Sequence, residues 1–386
     1  MSDRAKVAVL LSGRGSNMAA LLYAAKATGC PFEIILVASN DPEAPGLKLA
    51  AAEGIATFAR PHKGLARADH DVTLIDTWSA NIDQIKEQGL RVTAMEGEFT
   101  VKAGALHLGE VSARQPLYDI AIVCVKAYDT RWATTFIEPY LAPGGFVVSA
   151  QNGVNEEAMA DVIDWPRIVG CVVTISAGMY EPGHVERTNA ADRQSFTLGE
   201  PSGVVSRRLE RLAEIMSAAG PTKTTTNLWG ERWAKLATNC MSNAVAGITG
   251  LRSSELRLNA EVRSVAIRIA GELLEVAGAL GVSVERIGGI PAETYQQATA
   301  DPTRRERLEQ LIIEAGRDIG IGRPSLAQDV VKGRKTEVNE LNGFIARKGR
   351  QVGIATPVND AIVTVTRKVE RGQIEPSLEN LKSLEA

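Results

Sequence analysis

The sequence predicts an α/β chain in which a parallel sheet flanked by helices gives way to an all-helical second half. Three observations carry that reading. Short apolar runs, among them Val7–Leu11, Phe32–Ala38 and Asp119–Val125, alternate with helical patterns through the first 228 residues, as a parallel sheet with crossover helices requires. Polar residues close several of those runs, at the strand ends where open α/β sheets bind ligands. From Trp229 the apolar spacing is helical nearly to the C-terminus.

Composition bounds what such a chain can be. Its 386 residues suffice for two or three domains with their own cores. A hydrophobic content of 45% and a charged content of 23% are those of a globular protein. The net charge of −3 gives no reason to expect nucleic acid or an acidic membrane as partner. No apolar run approaches a membrane span, and Met-Ser-Asp-Arg-Ala-Lys does not read as a signal peptide, so a cytoplasmic location is expected. Cys30, Cys124, Cys171 and Cys240 are scattered, without a CxxC pair. They are expected as small core residues, with neither a metal site nor a disulfide. His62, His70, His107 and His184 lie in polar surroundings and are expected at the surface.

The first unit is a strand, Val7–Leu11, then Ser12-Gly13-Arg14-Gly15-Ser16-Asn17, then a helical pattern from Met18. A glycine loop opening a helix presents free backbone N–H groups that suit phosphate, which makes Gly13, Gly15 and Ser16 candidate phosphate contacts. A second strand, Phe32–Ala38, precedes a helix expected from about Gly46 to Glu53. Gly54 ends that helix as its C′ residue, and Ile55–Phe58 is a third strand. The stretches VAVLLSGRGSN and ILVASNDPEAPGLKLAAAEGIATF closely resemble glycinamide ribonucleotide transformylase, the folate-dependent formyltransferase of purine synthesis, as far as about Asp71. The resemblance implies that the loop holds a substrate phosphate. The catalytic asparagine, histidine and aspartate of that family lie further along, and residues 72 onward carry no such segment.

Asp71–Asp76 then reads as a strand ending in an acid, with Ser79 capping a helix to Gln88 and Gly89 closing it. An acid in that place of a Rossmann-like unit binds the ribose 2′-OH of NAD. The G-x-G-x-x-G that should lie about 20 residues upstream is missing, since Gly46, Gly54 and Gly64 are isolated. The strand Asp119–Val125 ends at Lys126, and Gly145–Ala150 ends at Gln151-Asn152-Gly153. Lys126 and Asn152 are therefore candidate ligand contacts, or simple strand-end residues. Arg167–Ser176 and Ser195–Gly199 follow as further strands, with helices expected between them.

In Glu231–Asn243, helical spacing sets Lys235, Asn239 and Asn243 at i, i+4 and i+8, with Ser242 beside them. Trp233, Leu236, Ala237, Cys240 and Ala244 form the apolar stripe opposite. A buried lysine must be paired or lose its charge, a need that a small polar substrate would meet; a solvated amphipathic helix is the plainer alternative. Ser325 opens a helix broken at Gly333. Thr336 can cap the next helix, leaving Glu337 in a first turn whose dipole favours a carboxylate.

Taken in order, HDVTLID, DIAIVCVKA, SAQNGVN, ERWAKLATNCMSN, SLAQDVVKGRKTEVNELNGF and ATPVNDA resemble ketopantoate reductase, the 2-dehydropantoate 2-reductase of pantothenate synthesis, over residues 72–380. The resemblance implies reduction of a small 2-keto acid by NAD(P)H. It makes Lys235 the general acid and Glu337 an acid organising lysine and cofactor. It assigns Asn239, Asn243 and Ser325 to substrate, Asn152 to a place between nicotinamide ribose and substrate, and Lys126 to a cofactor phosphate. It also implies a homodimer formed through the helical half. NADPH is the family's cofactor, but Asp76 followed by Thr77 stands where the family has a basic residue, and this leans to NADH. Ser253 replaces a family asparagine. The expected organisation is a formyltransferase-like fragment over 1–71, a Rossmann-like region over 72–228 lacking its first strand and glycine fingerprint, and a helical substrate domain over 229–386. Two other readings stay open: a formyltransferase-like phosphate-binding protein, and a chimera impaired in cofactor binding.

Overall fold

The computed structural model describes residues 5–11, 32–39, 56–59, 71–316 and 322–384. The loop carrying Gly13, Gly15 and Ser16, the expected helix Gly46–Glu53, Cys30, His62 and His70 lie outside the described residues. In chain order the strands begin with β1 (Ala5–Leu11), β2 (Phe32–Ser39), β3 (Ala56–Ala59), β4 (Thr73–Asp76) and β5 (Leu90–Ala94). They continue with β6 (Gly97–Val101), β7 (Gly104–His107), β8 (Tyr118–Val123), β9 (Leu141–Ser149) and β10 (Ile168–Val173). The last are β11 (Ala177–Glu181), β12 (His184–Arg187), β13 (Phe196–Gly199) and β14 (Thr222–Thr224). The chain divides into two compact units. One is Met1–Ser112 with Ser176–Arg193 and Glu214–Pro221; the other is Ala113–Ile175 with Gln194–Ala213 and Thr222–Ala386.

In the first unit β1, β2 and β3 form a parallel sheet of their own with β2 central. β4 and β7 make a separate parallel ladder, from Thr73 opposite Gly104 to Asp76 opposite His107. The helix Ser79–Gln88 buries Ile82 and Ile85 against Ala105 of β7. Ser79 does not cap it: the N-cap residue is Trp78, and no side chain makes the cap bond. Asp76 accepts the Trp78 N–H at 3.0 Å and the Asn81 side-chain amide at 2.9 Å. The remaining strands form a sheet in the order β11-β12-β5-β6. His184 is not a surface residue: its ring, 13% exposed, lies 2.9 Å from both Arg91 Nη2 and Thr93 Oγ1. His107 is half-buried and bonded to Asp83.

The second unit holds a sheet in the order β14-β13-β10-β9-β8. Its β8, β9 and β10 are parallel, joined through the helices Thr130–Ile137 and Glu156–Ala160. The helices expected between β10 and β13 are absent. The chain makes the antiparallel hairpin β11–β12 instead, and β13 returns antiparallel to β10. Pro182-Gly183 is the cause: Gly183 takes φ 69°, a conformation that reverses the chain and that side chains disfavour. Cys171 and Cys240 are buried as expected, whereas Cys124, just past β8, is exposed.

Helices fill the rest of this unit. The helix Ala260–Ala279 runs through the core, with Ile269, Leu273 and Val276 fully buried; such side chains contribute about 1.5–3 kcal/mol each. Its Glu272 carboxylate accepts the N–H groups of Val358 at 2.8 Å and Asn359 at 3.0 Å, and the Asn359 side-chain amide at 2.7 Å. It thereby closes the N-terminus of the helix Pro357–Glu370, whose N-cap residue Thr356 makes no side-chain cap bond. No helix of the described residues is long and apolar enough to cross a membrane.

Gly145 tests the sheet. A Cβ there would lie 2.7 Å from the Tyr118 carbonyl and 2.9 Å from that of Ala142, where backbone must move to make room. Gly145→Ala should destabilise the protein by about 1–3 kcal/mol. An unchanged urea midpoint would show that the β8–β9 junction relaxes freely.

Candidate active site

The helix Leu228–Asn239 starts at Asn227, whose side chain accepts the Gly230 N–H at 3.0 Å. Glu231 in its first turn is tied to Lys223 at 2.7 Å. Its apolar stripe is buried as expected: Trp233, Leu236, Ala237, Cys240 and Ala244 all lie in the core. Trp233 meets the Phe344 ring edge-on at 5.8 Å between centroids. At Cys240–Ala244 the winding loosens into one π turn, a device that recurs at functional sites.

The polar stripe carries three side chains in different states. Lys235 has no hydrogen-bond or ion-pair partner among the described residues, and burial lowers its pKa below the ordinary lysine value. Asn239 donates its amide to Asn152 Oδ1 at 3.1 Å. Asn243, after the π turn, donates to Ser325 Oγ at 3.2 Å. Ser242 points back along its own helix, bonding the Thr238 carbonyl at 2.7 Å. The structure thus gathers Asn152 onto Asn239 and Ser325 onto Asn243.

Lys126 and Glu337 form a second cluster. The Lys126 ammonium donates to Asp329 at 2.5 Å and to Glu337 at 3.4 Å. Both carboxylates are buried. Burial works against the Lys126 charge, but Glu337 and Asp329 together outweigh it and raise its pKa. Glu337 is not in a first helical turn, because the helix begins only at Asn342. Its other oxygen accepts the Ala127 N–H at 2.8 Å, a tertiary bond rather than a dipole effect. Thr336 is not a helix cap either: the N-cap residue of that helix is Leu341, and the Thr336 hydroxyl donates to Glu370.

Beneath Asn152 the Gln151 amide donates to the Val125 carbonyl and to Thr130 Oγ1, each at 2.9 Å. Its buried Oε1 has no donor among the described residues. Arg232 and Glu156 form a fully buried pair next to this loop. Sequence reasoning missed Gln151, Arg232, Glu156 and Asp329. Only Asp329 left a signal, standing four residues after Ser325 on one helix. Asp76 lies in the other unit with both carboxylate oxygens engaged by Trp78 and Asn81. No group of residues that could hold a metal ion occurs among the described residues.

Sequence profiles of known families match three stretches. "Ketopantoate reductase PanE/ApbA" matches residues 63–203 and its C-terminal counterpart residues 227–370. A formyl transferase profile matches residues 5–104 and so overlaps the first over 63–104. A 2-dehydropantoate 2-reductase from Archaeoglobus fulgidus is 31% identical over 256 residues, covering 66% of this chain and 77% of that protein. The solved PanE/ApbA family ketopantoate reductase from Ralstonia eutropha JMP134 superimposes with a TM-score of 0.65 at 29% identity, over 80% of this chain and 93% of that one. D-Mandelate dehydrogenase, solved with NADH and anilino(oxo)acetate, shares the fold with a TM-score of 0.67 at 22% identity, over 80% and 93% of the two chains.

The carboxylate cluster is open to a direct test. Glu337→Gln keeps an acceptor for the Ala127 N–H and removes only the charge facing Lys126. Stability should fall by about 1–3 kcal/mol, the usual cost of weakening a charged buried hydrogen bond. A urea denaturation curve superimposable on the parent's would mean that Asp329 alone satisfies Lys126.

Proposed function

The chain belongs to the ketopantoate reductase family, and on that footing we propose that it reduces 2-dehydropantoate, or a closely related small 2-keto acid, to the 2-hydroxy acid. The observation that carries this reading is the unpaired, desolvated ammonium of Lys235, set one helical turn before an amide pair, Asn239 with Asn152. Reduction of a ketone leaves negative charge on its oxygen. A positioned ammonium stabilises that charge and delivers the proton. Asn239, Asn243 and Ser325 are proposed to hold the keto acid through their remaining donors and acceptors. Asn152 is proposed to lie between substrate and nicotinamide ribose. Glu337 is proposed to act at one remove, by fixing Lys126 and the Ala127 backbone beneath the cofactor.

A nicotinamide dinucleotide supplies the hydride when bound. The residues at the reducing end fit it: Lys235 has donors to spare, and Gln151 Oε1 is a buried acceptor without a donor among the described residues. Asp76 followed by Thr77, where the family has a basic residue, is the ground on which NADH is proposed over NADPH. Lys126, the residue that argued for phosphate, is committed to Asp329 and Glu337. The segment 1–71 is proposed to be a formyltransferase-like replacement of the usual first strand and glycine loop, ahead of the Rossmann-like region 72–228 and the helical region 229–386. A homodimer through the helical region and a cytoplasmic location belong to the same reading.

Lys235→Ala should lower kcat by about 10²-fold or more while preserving the fold. In the parent the proton donor is lost as pH rises through the lowered pKa of Lys235. The alkaline limb of kcat should therefore fall below the ordinary lysine value of about 10.4. Near-normal turnover by the alanine variant would remove Lys235 from the chemistry.

Cofactor titration tests the N-terminal segment. NADH should be preferred modestly over NADPH, and both should bind weakly. Replacing residues 1–70 with a strand–GxGxxG–helix segment should restore tight binding. Tight dinucleotide binding by the unmodified chain would show that the loop with Gly13, Gly15 and Ser16 already serves the pyrophosphate.

A further inference from the structure

Three residues before Lys235 on the same helix, Arg232 is 2% exposed and faces Glu156, which is fully buried. Its Nε donates to Glu156 at 2.7 Å, Nη1 to the Gln151 carbonyl at 3.0 Å, and Nη2 to the Ser149 carbonyl and hydroxyl at 2.6 and 2.9 Å. Four residues after Lys235, Asn239 holds Asn152. The helix is thus fastened twice to one loop, Ser149–Asn152. At a rise of about 1.5 Å per residue the two attachments stand about 10 Å apart along the helix, with Lys235 between them.

The loop itself is braced from below. Gln151 reaches back to the Val125 carbonyl and Thr130, and Asn155 donates to the Asn152 carbonyl at 2.7 Å. Glu156 accepts the Asn155 N–H at 3.1 Å with its second oxygen. The carboxylate therefore ties the guanidinium to Asn155, the residue that holds the Asn152 carbonyl. Glu231, the acid of this helix, is occupied by Lys223.

We propose that Arg232, oriented by Glu156, is a positioning residue for Lys235: it fixes where the ammonium stands relative to Asn152. The inference rests on the reductase reading and adds a residue to it. A buried ion pair is a poor device for stability alone, since apolar replacements of similar volume are often neutral or better. A guanidinium that addresses a carboxylate and two backbone carbonyls at once is, by contrast, a geometric device. Lysine cannot replace it, because a single ammonium lacks the rigid fork of donors.

Two variants test this. Arg232→Lys keeps a charge opposite Glu156 but cannot span both carbonyls. The double variant Arg232→Met with Glu156→Met removes the pair without leaving a buried charge, and keeps the test in hand if the lysine variant does not fold. In each, kcat for 2-dehydropantoate should fall about 10- to 10²-fold, with KM changing far less. In protein carrying ¹³Cε-labelled lysine, with Lys235→Arg assigning the signal, the Lys235 resonance should move toward that of solvated lysines. This second readout needs no turnover. A parent that reduces no keto acid would sink the reductase reading and leave the resonance to decide the positioning. A folded double variant with parental kcat, or with an unmoved Lys235 resonance, would overturn the proposal.

Discussion

The second unit depends on a cation taken out of water and given directional partners. Arg232 enters the core because its guanidinium N–H groups find a carboxylate, two carbonyls and a hydroxyl. Removing one partner from such a site leaves an uncompensated charge, which costs about 3–5 kcal/mol. The helix from Leu228 is therefore locked to the end of β9 in one register. That lock is what allows an adjacent lysine to remain unpaired without the helix turning to find it a carboxylate.

Arg232, Lys126 and Lys235 show three outcomes of one balance. Arg232 is fully paired. Lys126 is drawn between Asp329 and Glu337, and its charge is reinforced. Lys235 feels desolvation with no carboxylate to oppose it, and its charge is weakened. The last keeps all its donors for an incoming group, and desolvation makes its proton easier to lose. The carboxylates near the site serve Lys126 and Arg232, which keeps Lys235 from being quenched by an internal salt bridge.

The stripe Lys235, Asn239 and Asn243 was legible because one helical period places those residue types together, and an apolar face opposite left the fold little choice. The ordered run of strands from β8 to β10 was legible for the same local reason. Arg232 was not, since its partner Glu156 lies 76 positions away and nothing in Glu-Arg-Trp distinguishes a buried arginine from a solvated one. Glu337 was found but misplaced: Thr336-Glu337 imitates a helix start, whereas the chain stays in turns until Asn342. The hairpin β11–β12 was marked by Pro182-Gly183, a turn signal outweighed by the expectation of alternating helices. The three-stranded sheet of β1, β2 and β3 was legible from its short connections, whereas the ladder of β4 with β7 reflects a pairing that no local pattern encodes.

Glu272 has a bearing on the order in which the polypeptide becomes structured. The helix Pro357–Glu370 opens with N–H groups that its own flanking residues do not satisfy, and the acceptor comes from a helix that precedes it by 86 positions. A helix of 14 residues is marginal when isolated in water. Its first turn is completed only when the long helix is already in place to receive it. Synthesis, running from N- to C-terminus, makes the receiving helix first. The late segment is therefore templated on arrival, and a circularly permuted chain that reversed the two would lose that sequence of events while keeping every native contact.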